Sequence, residues 1–441
     1  MCIRDRNDSH YNEIEHCEFT EYGRFTWGAS QIKDNVTFNH IHDCTFSKHG
    51  YLTEATGGNE GGLFDIGRES YEDIQRYNII ENCEFYHSGH HVFGMYGQYT
   101  VVRNNYFHNE EWYESGGELY SYRNIMASGK SGYSGYNLFE SNRIGYAGEN
   151  ITTSNQGGGG MKLTTSGNIV RYNSWFGNKG ISLYIQPAYG NNSSYNYIYN
   201  NTFFYNGYYS TSARRNPILF GCQAEAKCWA SCYGNVIKNN LFSKNYISVI
   251  SGKPFYAALY PSTDEHILGE EWGNNVIENN WDDYVIKTDP LFISEDTSNK
   301  RSRLLPNLNL QPGSPCIDQA AHLTQANDTV SSSTKLIVED ARYFQDGNFG
   351  QGTLPWPSSV NIEADWIAIG TVSNVVQIRS INYDTNTITL ASPRTWGKGD
   401  RVWLYKKSDG KIVLKGTAPN MGAHAYYTPL APPDNMRAGN N

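Results

Sequence analysis

Asn78-Ile79-Ile80-Glu81-Asn82-Cys83-Glu84-Phe85 is one copy of an eight-residue phrase, Asn-x-aliphatic-x-x-(Asn or Cys)-x-aromatic. Copies begin at Asn12, Asn39, Asn78, Thr100, Asn137, Asn168, Asn196, Asn235 and Asn275. The third position reads Ile14, Ile41, Ile80, Val102, Phe139, Val170, Ile198, Ile237 and Ile277. The sixth reads Cys17, Cys44, Cys83, then Asn105, Asn142, Asn173, Asn201, Asn240 and Asn280. The eighth reads Phe19, Phe46, Phe85, Phe107, Ile144, Trp175, Phe203 and Phe242, and only the last copy breaks it, with Trp281 one residue early.

Intervals of 27, 39, 22, 37, 31, 28, 39 and 40 residues separate the copies. The shortest is about one turn of a parallel β-helix, and the others are that turn plus insertions. A phrase this short buries an apolar face only by stacking on its neighbours. Asn suits a sharp bend because it tolerates left-handed backbone, and its amide can bond the amides above and below. Cys in the same place is small and apolar, so Cys17, Cys44 and Cys83 read as a packed ladder. A leucine-rich repeat would need several Leu per unit; here Ile, Val and Phe dominate, as in strands. The expected class is all-β.

The phrase is expected to supply one strand and a bend. A second strand follows as Gly-apolar-x-apolar, in Leu63-Phe64-Asp65-Ile66, His91-Val92-Phe93-Gly94-Met95, Gly160-Met161-Lys162-Leu163 and Gly180-Ile181-Ser182-Leu183-Tyr184. Alternation turns Phe64, Ile66, Phe93, Met95, Met161, Leu163, Ile181 and Leu183 inward. Asp65, Tyr96, Lys162 and Tyr184 then form an outward column. The turn from Thr100 is expected to add Gly117-Glu118-Leu119-Tyr120, with Glu118 and Tyr120 outward.

Insertions at 47–62, 67–77, 108–136, 145–160, 205–217 and 221–234 cluster beside that face, where function tends to sit. They carry Trp112 and many acids, among them Glu60, Glu111 and Glu149. Cys222, Cys228 and Cys232 leave a disulfide, free thiols or a metal site open.

The chain of 441 residues carries a net charge of −9, which argues against general nucleic-acid binding. No stretch approaches the roughly 20 apolar residues of a membrane span. With 34 Tyr and 10 Trp, aromatic residues exceed what a solenoid core needs, so many are expected on loops, where they can stack on sugars. No export signal is present, and the first phrase starts by Asn12. We therefore expect an N-terminally truncated sequence that has lost coils and a signal.

Asp289-Pro290-Leu291-Phe292, Ser314-Pro315-Cys316-Ile317-Asp318 and Gly422-Ala423-His424-Ala425-Tyr426 resemble the closing segment of secreted microbial right-handed parallel β-helix proteins. Asn420 and Ala320 depart from that pattern, where Asp and Gly are usual. The resemblance implies a right-handed single-stranded parallel β-helix over 1–318, with 289–318 as its terminal segment. It also implies an extracellular or cell-surface location. Residues 319–418 read as an inserted small β-barrel or sandwich, and 419–441 as the return to the helix end. The related proteins include polysaccharide lyases, glycosidases, epimerases and adhesins, so the resemblance says less about chemistry.

Hydrolysis of a glycosidic bond needs two carboxylates, for which Asp65 and Glu118 are candidates. β-Elimination of a uronate needs a neutralising cation and a base. Lys162, Arg123 and the His87, His90 and His91 group supply those types. Ca²⁺ is the one cofactor left open, through oxygen-rich acidic loops. Tyr96, Trp112, Tyr120 and Tyr184 are the expected sugar-contacting aromatics. The expectation is a monomeric carbohydrate-active enzyme acting on a polysaccharide by elimination or hydrolysis. The alternative is a non-catalytic glycan-binding or adhesive surface protein.

Overall fold

The computed structural model describes residues 10–20, 30–32, 35–49, 62–67, 75–88, 91–109, 123–129, 131–148, 159–187, 191–208, 217–220, 232–246, 259–260, 276–282, 288–297, 305–356, 360 and 362–426. The solenoid is a right-handed single-stranded parallel β-helix built from three stacked parallel sheets. Each phrase supplies two strands, not one strand and a bend. Ile79–Glu81 lies in the first sheet and Glu84–Ser88 in the second. Asn82 between them has φ 56°, so the bend is a single left-handed residue inside the phrase. The Gly-apolar strands make the third sheet, in which Phe64–Ile66, His91–Met95, Arg123–Ala127, Gly159–Leu163 and Leu183–Ile185 are five consecutive strands.

In-register stacking explains the choice of residues. Phrase position three runs inward as Ile14, Ile41, Ile80, Val102, Phe139, Val170, Ile198 and Ile237, each paired with the next coil. Position eight stacks its rings directly. Phe19–Phe46, Phe46–Phe85 and Phe85–Phe107 have centroids 4.7, 4.9 and 5.0 Å apart. That matches the 4.7–4.9 Å spacing of neighbouring strands, so a ring on each coil contacts the next without adjustment.

The Asn ladder forms as expected. Asn142 donates from its backbone N and from Nδ2 to Asn173 Oδ1 (2.8 and 3.0 Å), and Asn173 does the same to Asn201 Oδ1 (2.9 and 3.1 Å). Each rung satisfies a buried backbone N–H that the bend takes out of the sheet. Cys17, Cys44 and Cys83 are free thiols continuing this column, and Cys83 N donates to Asn105 Oδ1 at 2.9 Å where sulfur gives way to amide. A further ladder, Asn178 to Asn206 to Asn245, lies beyond the phrase at the next bend. Cys232 is buried in the solenoid core, while Cys222 and Cys228 lie outside the described residues.

Near the C-terminus, six strands form an antiparallel sheet that includes Val330–Ile337, Trp366–Ile369, Val375–Asn382, Thr387–Trp396 and Arg401–Lys406. Trp396 and Trp403 are buried in it. It packs along the outer side of the first sheet. Trp356 sits edge-on to Phe38 and Tyr77, Arg103 donates to Ser408 O at 2.7 Å, and Tyr199 Oη donates to Tyr343 O at 2.7 Å. Segment 419–426 returns to the solenoid: Tyr426 bridges Leu310, and Gly422 N donates to Asn239 O at 3.0 Å. No helix among the described residues is long and apolar enough to cross a membrane.

Candidate functional site

The third sheet sets its outer face by register. Asp65 pairs with Gly94, Gly94 with Met126, Met126 with Lys162 and Lys162 with Tyr184. Alternation places these between inward neighbours: Phe64, Phe93, Ile125, Met161 and Leu183 on one side, and Ile66, Met95, Ala127, Leu163 and Ile185 on the other. Asp65, Lys162 and Tyr184 therefore share one column, as expected. Tyr96 does not. Its backbone N donates to Ile66 O, which puts it one step further along, in line with Ser128 and Thr164, whose hydroxyls bond at 2.9 Å.

The coil from Thr100 departs from expectation. Its third-sheet strand is Arg123–Ala127, not Gly117–Tyr120. Only the later segment offers two apolar residues, Ile125 and Ala127, at alternate positions in line with Phe93 and Met95. Met126 thus takes the place foreseen for Glu118. Arg123 belongs to the strand and pairs with His91 and Gly159, where a loop position was expected. Glu118, Tyr120, Trp112 and His90 lie outside the described residues, as do Glu60, Glu111 and Glu149.

Asp65 and His91 meet. His91 Nε2 lies 2.7 Å from Asp65 Oδ1, with His91 0% and Asp65 4% exposed. Two glycines make room for the pair. A Cβ on Gly94 would fall 2.2 Å from Asp65 Oδ1 and 2.9 Å from His91 Nε2, and one on Gly62 would fall 2.3 Å from His91 Nε2. The Tyr96 ring closes the other side, edge-on to His91 with centroids 6.3 Å apart. Lys162 is also buried, and Tyr184 partly so. Lys162 is three strands from Asp65, a separation of ~14 Å at the usual strand spacing. The two therefore lie at different points of one extended strip.

Of the histidine trio, His87 lies on a second-sheet strand and His91 on a third-sheet strand, and His90 lies outside the described residues. His87, next to last in the Glu84–Ser88 strand, is in the left-handed region at φ 57°, with its ring edge-on to Tyr86. Burial, helped by the charges of His108 and Lys48, holds it down at about 3, so it is neutral. The signal that sequence reasoning passed over was the glycine pair, since Gly62 and Gly94 mark where Asp65 and His91 need space. The fourth phrase position was also passed over. It reads Glu15, His42, Glu81, Arg103, Glu140, Arg171, Tyr199, Lys238 and Glu278, stacked on the outer face of the first sheet.

Comparison with solved structures finds similar coiled folds at low identity. One is the pectate lyase Pel9A, with 14% identity and a TM-score of 0.36, covering 68% of this chain and 69% of that chain. Another is the PL6 family polysaccharide lyase Pedsa3628 from Pseudopedobacter saltans, with 17% identity and a TM-score of 0.35 over 63% of this chain and 77% of that one. The tailspike protein of E. coli bacteriophage HK620 in complex with pentasaccharide has 11% identity and a TM-score of 0.31, over 90% and 68%. No family model and no curated protein matches the chain.

Proposed function

We propose that this protein is a carbohydrate-active β-helix enzyme that cleaves an acidic polysaccharide by β-elimination along the outer face of the third sheet. The observation that carries this reading is the Asp65–His91 pair, buried and given room by Gly62 and Gly94. A carboxylate on one ring nitrogen fixes the tautomer and orientation of the imidazole, and the ring then has the part of the base. In the proposed step the Tyr96 ring that covers His91 swings aside to admit the sugar, and His91 takes the proton from C5 of a uronate. Its electrons form the C4–C5 double bond, the C4–O bond breaks, and the leaving oxygen takes a proton from Tyr96. Lys162 and Tyr184, three strands further along the strip, hold a neighbouring carboxylate and sugar of the polymer, and a Ca²⁺ ion would supply the neutralising charge to the carboxylate of the reacting uronate.

Elimination is favoured over hydrolysis for a specific reason. Among the described residues, Asp65 is the only carboxylate in its outward column from Phe64–Ile66 to Leu183–Ile185, whereas hydrolysis needs two. Burial of Asp65 and His91 favours a second reading, in which the pair only braces a glycan-binding face. Incubation with a panel of uronate-containing and neutral polysaccharides separates them. Unsaturated uronate products that vanish in His91→Ala and Asp65→Asn support elimination. Glycan binding without product formation supports the second reading.

A further inference from the structure

We propose a binding site for a divalent transition-metal ion of the zinc class at Glu13, His40 and His42, on the outer face of the first sheet and independent of the third-sheet strip. Parallel register pairs Glu13 with His40 and Glu15 with His42. His40 and His42 are two apart on one strand, so both rings leave the same face, and they stack with centroids 4.1 Å apart. One ligand atom from each of Glu13, His40 and His42 lies within 4.8 Å of the others. Glu13 Oε1 is 3.6 Å from His40 Nδ1 and 3.3 Å from His42 Nε2. Ligands bound at about 2.0–2.2 Å around a tetrahedral ion stand roughly 3.3–3.6 Å apart, so two of the three edges already have that span. Glu15 Oε2, 3.7 Å from His42 Nε2, supplies a fourth donor.

The buried side of the site points to a ligand on its own account. His40 is 5% exposed, yet its Nδ1 has no hydrogen-bond partner. An orphaned buried nitrogen is unfavourable, and a metal ion would satisfy it. The far nitrogens are held as metal-binding imidazoles usually are. His40 Nε2 is 2.8 Å from Glu81 Oε1, itself fixed by Arg103 Nε at 2.6 Å. His42 Nδ1 is 2.7 Å from Asp43 Oδ2. Each carboxylate keeps a proton on the far nitrogen, which turns the near nitrogen's lone pair toward the site. Two imidazoles and a carboxylate suit zinc and its neighbours, whereas Ca²⁺ takes oxygen ligands. The ion would join the coil of Glu13 to the coil of His40.

Calorimetric titration of chelator-treated protein with Zn²⁺, alongside thermal unfolding with Zn²⁺ or Ca²⁺, tests this site. One Zn²⁺ per chain should bind at micromolar concentration or below and raise Tm, with no such rise from Ca²⁺. Glu13→Gln, at a half-exposed position, and His42→Ala should each weaken binding at least tenfold while apo unfolding of Glu13→Gln stays unchanged. Co²⁺ should give the visible absorption of a tetrahedral site in the parent protein and lose it in His42→Ala. Absence of Zn²⁺ binding, or binding that both variants retain at full strength, overturns the proposal.

Discussion

Arg171 on the first sheet and Asp365 on the antiparallel module meet through two parallel hydrogen bonds. Nη1 donates to Oδ2 and Nη2 to Oδ1, each at 2.7 Å, and neither side chain has any exposure. Arg171 Nε also donates to Glu140 Oε2 at 2.6 Å. Burial pushes Asp365 up against the pull of Arg171. Gln345 adds two further donors, so four donors on two oxygens favour the carboxylate form. Replacing one partner would strand the other charge in the interior. Asp365→Ala should cost about 3–5 kcal/mol. Denaturant unfolding of the whole chain measures it, and a change below about 1 kcal/mol would show the pair to be dispensable.

Gly94→Ala tests the third-sheet strip without replacing a polar side chain. Its Cβ would stand 2.2 Å from Asp65 Oδ1 and 2.6 Å from Tyr96 Cε2, distances that force the Asp65–His91 pair apart. Under the elimination reading, product formation should fall at least a hundredfold. Gly132→Ala is the control, because a Cβ there meets nothing within 4 Å; its φ of 83° predicts a modest loss of stability with activity retained.

The Asn ladder predicts a graded response along the solenoid. Asn173 accepts two hydrogen bonds from Asn142 and donates to Phe139 O and Asn201 Oδ1, all buried. Asn173→Leu leaves the Asn142 backbone N–H unpaired, at about 1–3 kcal/mol for that group alone. Asn280, half-exposed on the last described coil of the ladder, should cost less in the same substitution. Equal losses measured by chemical denaturation would argue that the ladder contributes little beyond local shape.

Acid should weaken the contact between module and solenoid. Burial pushes Asp409 up, but Lys407 and Lys411, at 3.0 and 3.1 Å, overcome it and hold it at about 2. The carboxylate is thus lower folded than unfolded. Its contribution is complete above the unfolded value of ~4 and is lost as pH falls from there toward about 2. Glu140 is lowered as well, because Arg171 and Lys407 outweigh its burial, and it adds in the same direction. Melting temperatures measured between pH 6 and pH 2 should drop below about pH 4, and Asp409→Asn should flatten part of that slope.

The coil architecture was legible because its determinants repeat. Phrase positions one, three, six and eight each perform the same task on nearly every coil, so a single reading of Asn78–Phe85 extends to most of the solenoid. The third-sheet strand after Thr100 was misplaced because it follows a long insertion, where spacing no longer counts coils. Only the backbone pairing of Arg123 with His91 restores the count. The Asp65–His91 contact was harder still. It joins residues 26 apart through a gap that two glycines leave, and glycine carries no pattern of its own. The docking of the module was written in the fourth phrase position, whose alternating acids and bases look like ordinary solvated charge until a partner covers them.

The module's contacts also order events in time. Coils close over 22 to 40 residues, as in the pairs Cys83–Asn105 and Asn240–Asn280. Arg103 reaches Ser408 across 305 residues. Loop closure costs only ~0.6 kcal/mol per doubling of length, so this span adds roughly 2 kcal/mol of entropy, small beside the buried contacts it secures. Rates respond more strongly than stability, because distant contacts form slowly. During synthesis, then, the coils can assemble while Arg103, Glu140 and Arg171 still face water. The nascent protein passes through a stage in which this row of charges keeps the open flank of the sheet hydrated until its own C-terminal strands arrive to cover it.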